Sequence, residues 1–133
     1  MIKKLIITLL TLQTLLLADF QGINTAQLEK MVKEGAAIID IRTPPEWREG
    51  VIPGSHKIMF FDERGGYDIN KFLSELSKVV KDKETPFILV CRTASRTKIV
   101  GQFLADKVGY TNVKELSGGI MWGWNNLHKP IEK

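Results

Sequence analysis

Cys91 is the only cysteine of this 133-residue chain, and its surroundings favour a reactive thiol. It follows an apolar run at residues 87–90, which predicts a strand, and it precedes a short polar loop and the start of a helix. Ligands of open α/β sheets bind at the carboxyl ends of the strands, and a helix N-terminus stabilises an anion. Together with Arg92 and Arg96, these features favour the nucleophilic thiolate. The alternative is a buried structural cysteine.

The remaining composition excludes several other kinds of site. A single cysteine cannot form an intramolecular disulfide, and an unpaired thiol in an oxidising compartment is a hazard unless it has a function. One cysteine with His56 and His128 gives no zinc-binding spacing, so we predict no metal. The chain has no glycine-rich phosphate or dinucleotide motif, which predicts no cofactor, and no basic run of the kind that binds nucleic acid.

The first eighteen residues resemble a secretory signal peptide. Lys3 and Lys4 precede an apolar run at residues 5–17, and Ala18 is the small residue expected before a cleavage site. The run is shorter than the roughly 20 residues of a membrane span. We therefore predict a signal peptide at 1–18, a single mature domain at 19–133 with a net charge of +2 instead of +4, and a periplasmic or otherwise exported protein without stable membrane insertion. An uncleaved N-terminal anchor is the alternative.

Strand and helix patterns alternate along the rest of the chain. Short apolar runs predict strands at 36–41, 57–61, 87–90 and 112–116, while helical periodicity covers residues 25–34, 69–80, 97–108 and 120–127. One helical turn fits 45–49, inside a loop that is rich in proline and glycine. This order predicts an α/β fold with a central, mostly parallel sheet flanked by helices.

Three separated segments resemble the signatures of the rhodanese-like domains. Residues 40–55 read DIRTPPEWREGVIPGS, similar to Asp-(Val/Ile)-Arg, a spacer, Glu-aromatic and Gly-His-Ile-Pro-Gly-Ala. Residues 91–97 read CRTASRT, like the active-site loop Cys-Arg-Ser-Gly-X-Arg-Ser, and residues 116–124 read LSGGIMWGW, like the terminal Leu-X-Gly-Gly-X-X-X-Trp. Two residues depart from the pattern. Val51 replaces the usual histidine, and Ala94 replaces a glycine that is free to adopt a positive φ.

The resemblance implies a single rhodanese-like domain that is a sulfurtransferase. Cys91 would take the outer sulfur of thiosulfate, a polysulfide or another persulfide and pass it to a nucleophile in a ping-pong reaction. Four residues separate Cys91 from Arg96, whereas cysteine phosphatases with a similar sheet use five. The tighter loop fits one sulfur atom held by its backbone N–H groups and predicts no phosphatase activity.

The resemblance also implies roles for individual residues. The active-site loop comprises Arg92, Thr93, Ala94, Ser95 and Arg96. We expect Arg96 to brace the loop through carbonyl groups or Glu46, and Arg92 to steer anionic donors at the mouth, with a solvated surface charge as its alternative.

Supporting residues lie outside the loop. Asp40 and Arg42 are expected to form a structural pair, with Glu46 in a similar supporting role. The three tryptophans (Trp47, Trp122 and Trp124) are expected in the core. Gly118 and Gly119 are expected to allow the closing turn.

Other functions use the same residues. The chain could be a carrier of persulfide or polysulfide sulfur for a partner enzyme, or a catalytically silent rhodanese fold that binds proteins. The intact Cys91 and both loop arginines disfavour the silent alternative. The expected partners are small sulfur-containing anions and a possible acceptor protein, and the chain is expected to be a monomer or a homodimer.

Overall fold

A computed structural model describes residues 19–133, which form a five-stranded, all-parallel sheet in the order β1-β5-β4-β2-β3. The strands in chain order are β1 (Asp19–Ile23), β2 (Ala37–Asp40), β3 (His56–Lys57), β4 (Phe87–Val90) and β5 (Asn112–Leu116). This is the α/β architecture that the alternating sequence pattern predicts. The predicted signal peptide at 1–18 lies outside the described residues.

Helices cover both faces of this sheet. They are α1 (Thr25–Lys33), α2 (Pro44–Glu49), α3 (Ile69–Val79) and α4 (Ser95–Phe103), and α4 continues as a π-helical segment over Leu104–Val108. The chain closes with a π-helical turn at Ile120–Trp124 and a 3₁₀ turn at Asn125–Leu127. Within residues 19–133, no helix has both the length and the apolar character that crossing a membrane requires.

The central strand β4 is buried on both of its faces, as parallel strands are when helices cover the sheet. Phe87 and Leu89 point into one apolar cluster, and Ile88 and Val90 point into the other. Cys91 continues the alternation on the side of Leu89 and is fully buried. The hydrophobic pattern of the strand therefore fixes which face of the sheet receives the thiol.

Local sequence signals set the helix boundaries that flank the sheet. Asn24 caps α1 through a capping box with Gln27, and Gly35 follows the helix with φ +98°. Asp68 caps α3 by accepting a hydrogen bond from the backbone of Lys71. These signals explain why α1 and α3 begin and end within one residue of the helices predicted at 25–34 and 69–80. The helix predicted at 97–108 begins two residues earlier and becomes π-helical at Leu104.

Two strands differ from the sequence prediction. The pattern did not indicate β1, a five-residue edge strand that contains Gly22 and pairs only with β5. The strand predicted at 57–61 is wrong, because β3 covers His56–Lys57 and overlaps the prediction only at Lys57. Beyond β3, Phe61 forms an isolated antiparallel bridge with Tyr67 instead. Both errors concern sheet edges, where few residues are paired and the local pattern is weak.

Candidate active site

Cys91 lies at the carboxyl end of β4, with no exposed surface. The neighbouring strand β2 ends at Asp40, which is in register with Val90, so the residues after both strands meet at one edge of the sheet. A three-residue loop from Arg92 to Ala94 then leads directly into α4 at Ser95. The thiol therefore lies next to the N-terminus of a nine-residue helix, whose dipole favours an anion.

Ala94 makes the turn into α4 in the left-handed region, with φ 68° and ψ 10°. It is one of two non-glycine residues with a positive φ among residues 19–133. The loop thus adopts the backbone conformation expected of glycine even though the residue carries a Cβ. Ala94 is buried, so surrounding atoms hold this conformation in place.

Arg96 and Glu46 form a two-point ion pair that braces the loop against α2. The guanidinium donates from Nη1 to Oε1 and from Nη2 to Oε2, both at 2.7 Å. Hydrogen bonding to Arg96 lowers the pKa of Glu46 to about 2 despite partial burial, and the same contact raises the pKa of Arg96. The Thr43 hydroxyl also donates to Glu46, at 2.9 Å. Of the two arrangements that the sequence offered for Arg96, the structure has the one with Glu46.

Asp40 and Arg42 form a second, fully buried pair at the end of β2. Nη2 of Arg42 lies 2.9 Å from Oδ2 of Asp40 and also donates to the carbonyl of Gly50 at 2.7 Å. The indole N–H of Trp47 donates to Asp40 at 3.2 Å. Because the polar atoms of this pair are hydrogen-bonded within the protein, the pair holds the segment 40–50 in shape and is not presented to solvent.

The turn at Gly118 and Gly119 fixes the other side of the loop. The backbone N–H of Ile120 donates to the carbonyl of Cys91 at 2.9 Å, and that of Met121 donates to the carbonyl of Arg92 at 3.0 Å. A Cβ on Gly119 would lie 2.4 Å from the carbonyl oxygen of Arg92. The glycine is therefore required by close backbone approach as well as by its φ of +66°.

Three residues of the loop face solvent: Arg92, Thr93 and Ser95. Arg92 borders a cavity of about 90 Å³ together with Arg42, Gly50 and Met121. Glu49 also lines this small cavity, and Arg42 is already paired with Asp40, so Arg92 is the arginine there that remains exposed to solvent. A second cavity, of about 690 Å³, includes Trp47 but no residue of the Cys91 loop.

The tryptophans do not share one environment. Trp124 is buried, and its indole donates to the carbonyl of Pro130 at 2.7 Å, whereas Trp47 is half-buried. Trp122 is 61% exposed, so the prediction that it belongs to the core is wrong. The closing segment winds as a π-helical turn, and its spacing sends this side chain outward.

A chain of polar contacts behind Cys91 was missed by the sequence reasoning. The thiol lies 3.6 Å from the hydroxyl of Thr97, which donates to Oε2 of Glu115 at 2.5 Å. Oε1 of Glu115 accepts from Nζ of Lys98 at 2.6 Å. The available signal was Glu115 itself, a charged residue two positions after Val113 on the inward-facing side of a predicted strand.

No group of three His, Cys, Asp or Glu side chains within residues 19–133 is arranged to hold a metal ion. The titratable groups near Cys91 are instead used in pairs, Arg96 with Glu46 and Arg42 with Asp40. The arrangement presents one buried thiol, a helix N-terminus and arginines, which suits nucleophilic attack on an anionic substrate.

Comparison with known proteins shows which family and which proteins this chain is similar to. The model of the rhodanese-like domain family matches residues 24–126. Thiosulfate sulfurtransferase GlpE of Pseudoalteromonas translucida is 31% identical over 102 residues, which cover 76% of this chain and 86% of that protein.

Two solved structures share the fold at low identity. Rv0390 from M. tuberculosis matches with a TM-score of 0.67 at 20% identity, covering 84% of this chain and 96% of that one. A thiosulfate sulfurtransferase from Pseudomonas aeruginosa matches with a TM-score of 0.68 at 21% identity, covering 85% of this chain and 20% of that one. At these identities, the structural matches establish the fold alone.

Proposed function

The chain belongs to the rhodanese-like family, and from that premise we propose that it moves sulfane sulfur from thiosulfate, a polysulfide or a persulfide to a nucleophilic acceptor through a Cys91 persulfide. The observation that carries the proposal is the position of Cys91. The thiol sits at the end of the central strand, one short loop before α4, and the loop is braced by Arg96 and Glu46. The sulfurtransferase relative supports the same chemistry.

In the first half-reaction, the Cys91 thiolate attacks the outer sulfur of thiosulfate. A bond forms between Sγ and that sulfur, the sulfur–sulfur bond of thiosulfate breaks, and sulfite leaves with the bonding electron pair. In the second half-reaction, an acceptor such as cyanide or a thiolate attacks the outer sulfur of the persulfide. The Sγ–S bond breaks and the Cys91 thiolate is regenerated, so the two half-reactions balance without an external oxidant or reductant.

The surroundings of Cys91 supply what both half-reactions require. The free N–H groups in the first turn of α4 and the dipole of that helix favour negative charge beside the sulfur. Arg92 is exposed at the loop and can attract an anionic donor from solution. Arg96 is engaged with Glu46, so its main role is to keep the loop in shape.

The proposal is tested by the intact mass of the purified protein after incubation with thiosulfate or polysulfide. We expect a gain of one sulfur atom that disappears on addition of cyanide, with thiocyanate as the product. Cys91→Ser is the matched control and should gain nothing, because the chain has no second cysteine. A protein that gains no sulfur from any of these donors would contradict the proposal, as would aryl phosphate hydrolysis that depends on Cys91.

A further inference from the structure

Glu115 is a buried carboxylate that the mechanism above does not use. It lies on β5 between β1 and β4, and only 5% of its side chain is exposed. A buried charge is costly unless it is paired and hydrogen-bonded. Its two oxygens are bound by Thr97 and Lys98, both of α4, and Thr97 is also the hydrogen-bond partner of Cys91.

The hydroxyl of Thr97 has one proton, and Glu115 and Cys91 compete to accept it. The contact from Thr97 Oγ1 to the carboxylate of Glu115 is 2.5 Å, whereas its contact to Sγ of Cys91 is 3.6 Å. A hydrogen bond to a carboxylate is also stronger than one to sulfur. Thr97 therefore donates to Glu115 and presents only lone pairs to Cys91, so it can accept from the thiol but cannot support a thiolate.

The other charged groups near Cys91 are arranged differently. On the loop side, Arg96 is neutralised by Glu46, and at the end of β2 Asp40 is neutralised by Arg42. The counter-ion of Glu115 is Lys98, whose side chain is 64% exposed and therefore a weak partner. Glu115 is thus the carboxylate whose charge reaches Cys91 through a hydrogen bond, by way of Thr97.

We propose that Glu115 is a positioning residue that disfavours the free thiolate of Cys91 by holding the Thr97 hydroxyl as a hydrogen-bond acceptor. The arrangement fits the thiol, which donates to Thr97. The inner sulfur of a persulfide carries no negative charge, so the lone pairs of Thr97 disfavour the persulfide less than they disfavour a thiolate. The effect on sulfur transfer rests on the proposed function. A disfavoured thiolate is a poorer leaving group, so Glu115 prolongs the lifetime of the Cys91 persulfide.

The proton arrangement can be tested without any sulfur donor. Cys91 is the only cysteine, so the difference in ultraviolet absorbance between each protein and its Cys91→Ser counterpart, followed against pH, reports its thiolate and cancels tyrosine ionisation. In Glu115→Gln, the amide can donate to Thr97 and release its hydroxyl toward the sulfur, so we expect the midpoint to fall by about one pH unit. Lys98→Met removes the counter-ion but keeps the carboxylate, so we expect the midpoint to rise.

The two substitutions should shift the thiolate midpoint of Cys91 in opposite directions, and this result separates the proposed role of Glu115 from a purely structural one. If Glu115 only stabilised the fold, both substitutions would lower the thermal midpoint without opposite shifts of the thiolate midpoint. Lys98 is mostly exposed, so Lys98→Met keeps the inference falsifiable even if Glu115→Gln does not fold. Shifts of the same sign, or no shift in Lys98→Met, would overturn the inference. Adding Thr97→Val to Glu115→Gln should raise the midpoint again, whereas adding Thr97→Ser should not.

The consequence for sulfur transfer is measured on the loaded protein. We expect the persulfide of Glu115→Gln to discharge to cyanide about threefold faster than that of the wild type, and that of Lys98→Met to discharge more slowly. Equal discharge rates in all three proteins would overturn the claim about lifetime. If the wild type forms no persulfide but the thiolate midpoints move in opposite directions, the proposed function fails and the role of Glu115 stands.

Discussion

Arg96 and Glu46 lie fifty positions apart in the sequence, yet they share two hydrogen bonds of 2.7 Å. The contact joins the first turn of α4 to the short helix α2, which follows a different strand of the sheet. A planar guanidinium that meets a carboxylate in this two-point geometry fixes orientation as well as distance. The shape of the Cys91 loop therefore depends on a residue outside the loop.

Glu46→Gln should lower the free energy of unfolding by about 2 kcal/mol at pH 7, because one charge-assisted hydrogen bond to Arg96 is lost. Contact with Arg96 lowers the pKa of Glu46 to about 2 in the folded state. A depressed carboxyl pKa contributes stability above the unfolded value, near 4.5, and the contribution disappears as the pH falls toward 2.

Chemical denaturation of both proteins from pH 7 down to pH 2 checks this prediction. The difference between wild type and Glu46→Gln should be constant above about pH 5 and shrink steadily below it. Glu63→Gln, at an exposed position of the loop before α3, is the matched control and should differ little from wild type throughout. A difference for Glu46→Gln that does not change with pH would contradict the ion-pair explanation.

Gly119→Ala should both destabilise the protein and impair persulfide formation. The new Cβ would lie 2.4 Å from the carbonyl oxygen of Arg92, so the loop would have to move. Gly109→Ala is the matched control, because Gly109 also has a positive φ but has no atom within 4 Å of the Cβ position. We expect a loss of about 1 kcal/mol in the control from backbone strain and a further 1–3 kcal/mol in Gly119→Ala from the clash. Denaturation and mass measurement would show both effects, and equal losses would refute the steric reason.

Ala94→Gly should not destabilise the protein, although the change from alanine to glycine usually does. Left-handed backbone costs an L-residue about 1–2 kcal/mol, and glycine removes that cost. Ala105→Gly provides the comparison, since Ala105 is also buried but lies in the π-helical segment without a positive φ, and there we expect a loss of about 1 kcal/mol. Equal destabilisation at the two positions would show that the conformation of Ala94 is not strained.

We propose that the protein is exported and that residues 1–18 are removed. Peptide sequencing of the protein from the periplasmic fraction should then give an N-terminus near Asp19. Replacing Lys3 and Lys4 with glutamate should retain the protein inside the cell with its full length. Recovery of an intact N-terminus in the membrane fraction would favour an anchor instead.

The sequence predicted the central part of the fold well because the signals there are local. The four residues of β4 are apolar on both faces, and the ends of α1 and α3 are marked by side-chain caps. The edges were predicted poorly. The pairing of β1 is set by β5 at the far end of the chain, and no local pattern carries that information.

The candidate site was likewise predicted where its residues are contiguous in sequence and missed where they are distant. The loop from Cys91 to Arg96 follows from contiguous residues, although the sequence did not indicate that Ala94 itself would adopt a positive φ. Thr97 and Glu115 are separated by eighteen positions and meet only because α4 packs on β5. A buried carboxylate of this kind becomes interpretable once the structure shows which hydroxyl it binds.

Because β1 pairs with β5, the sheet of this protein can be completed only after β5 has been synthesised. Strand β1, at Asp19–Ile23, leaves the ribosome before its hydrogen-bonding partner, Asn112–Leu116, is made. One edge of β5 therefore stays open until β1 pairs with it. A nascent chain stalled before residue 112 should be protease-sensitive at β1, and protection there should mark the end of folding.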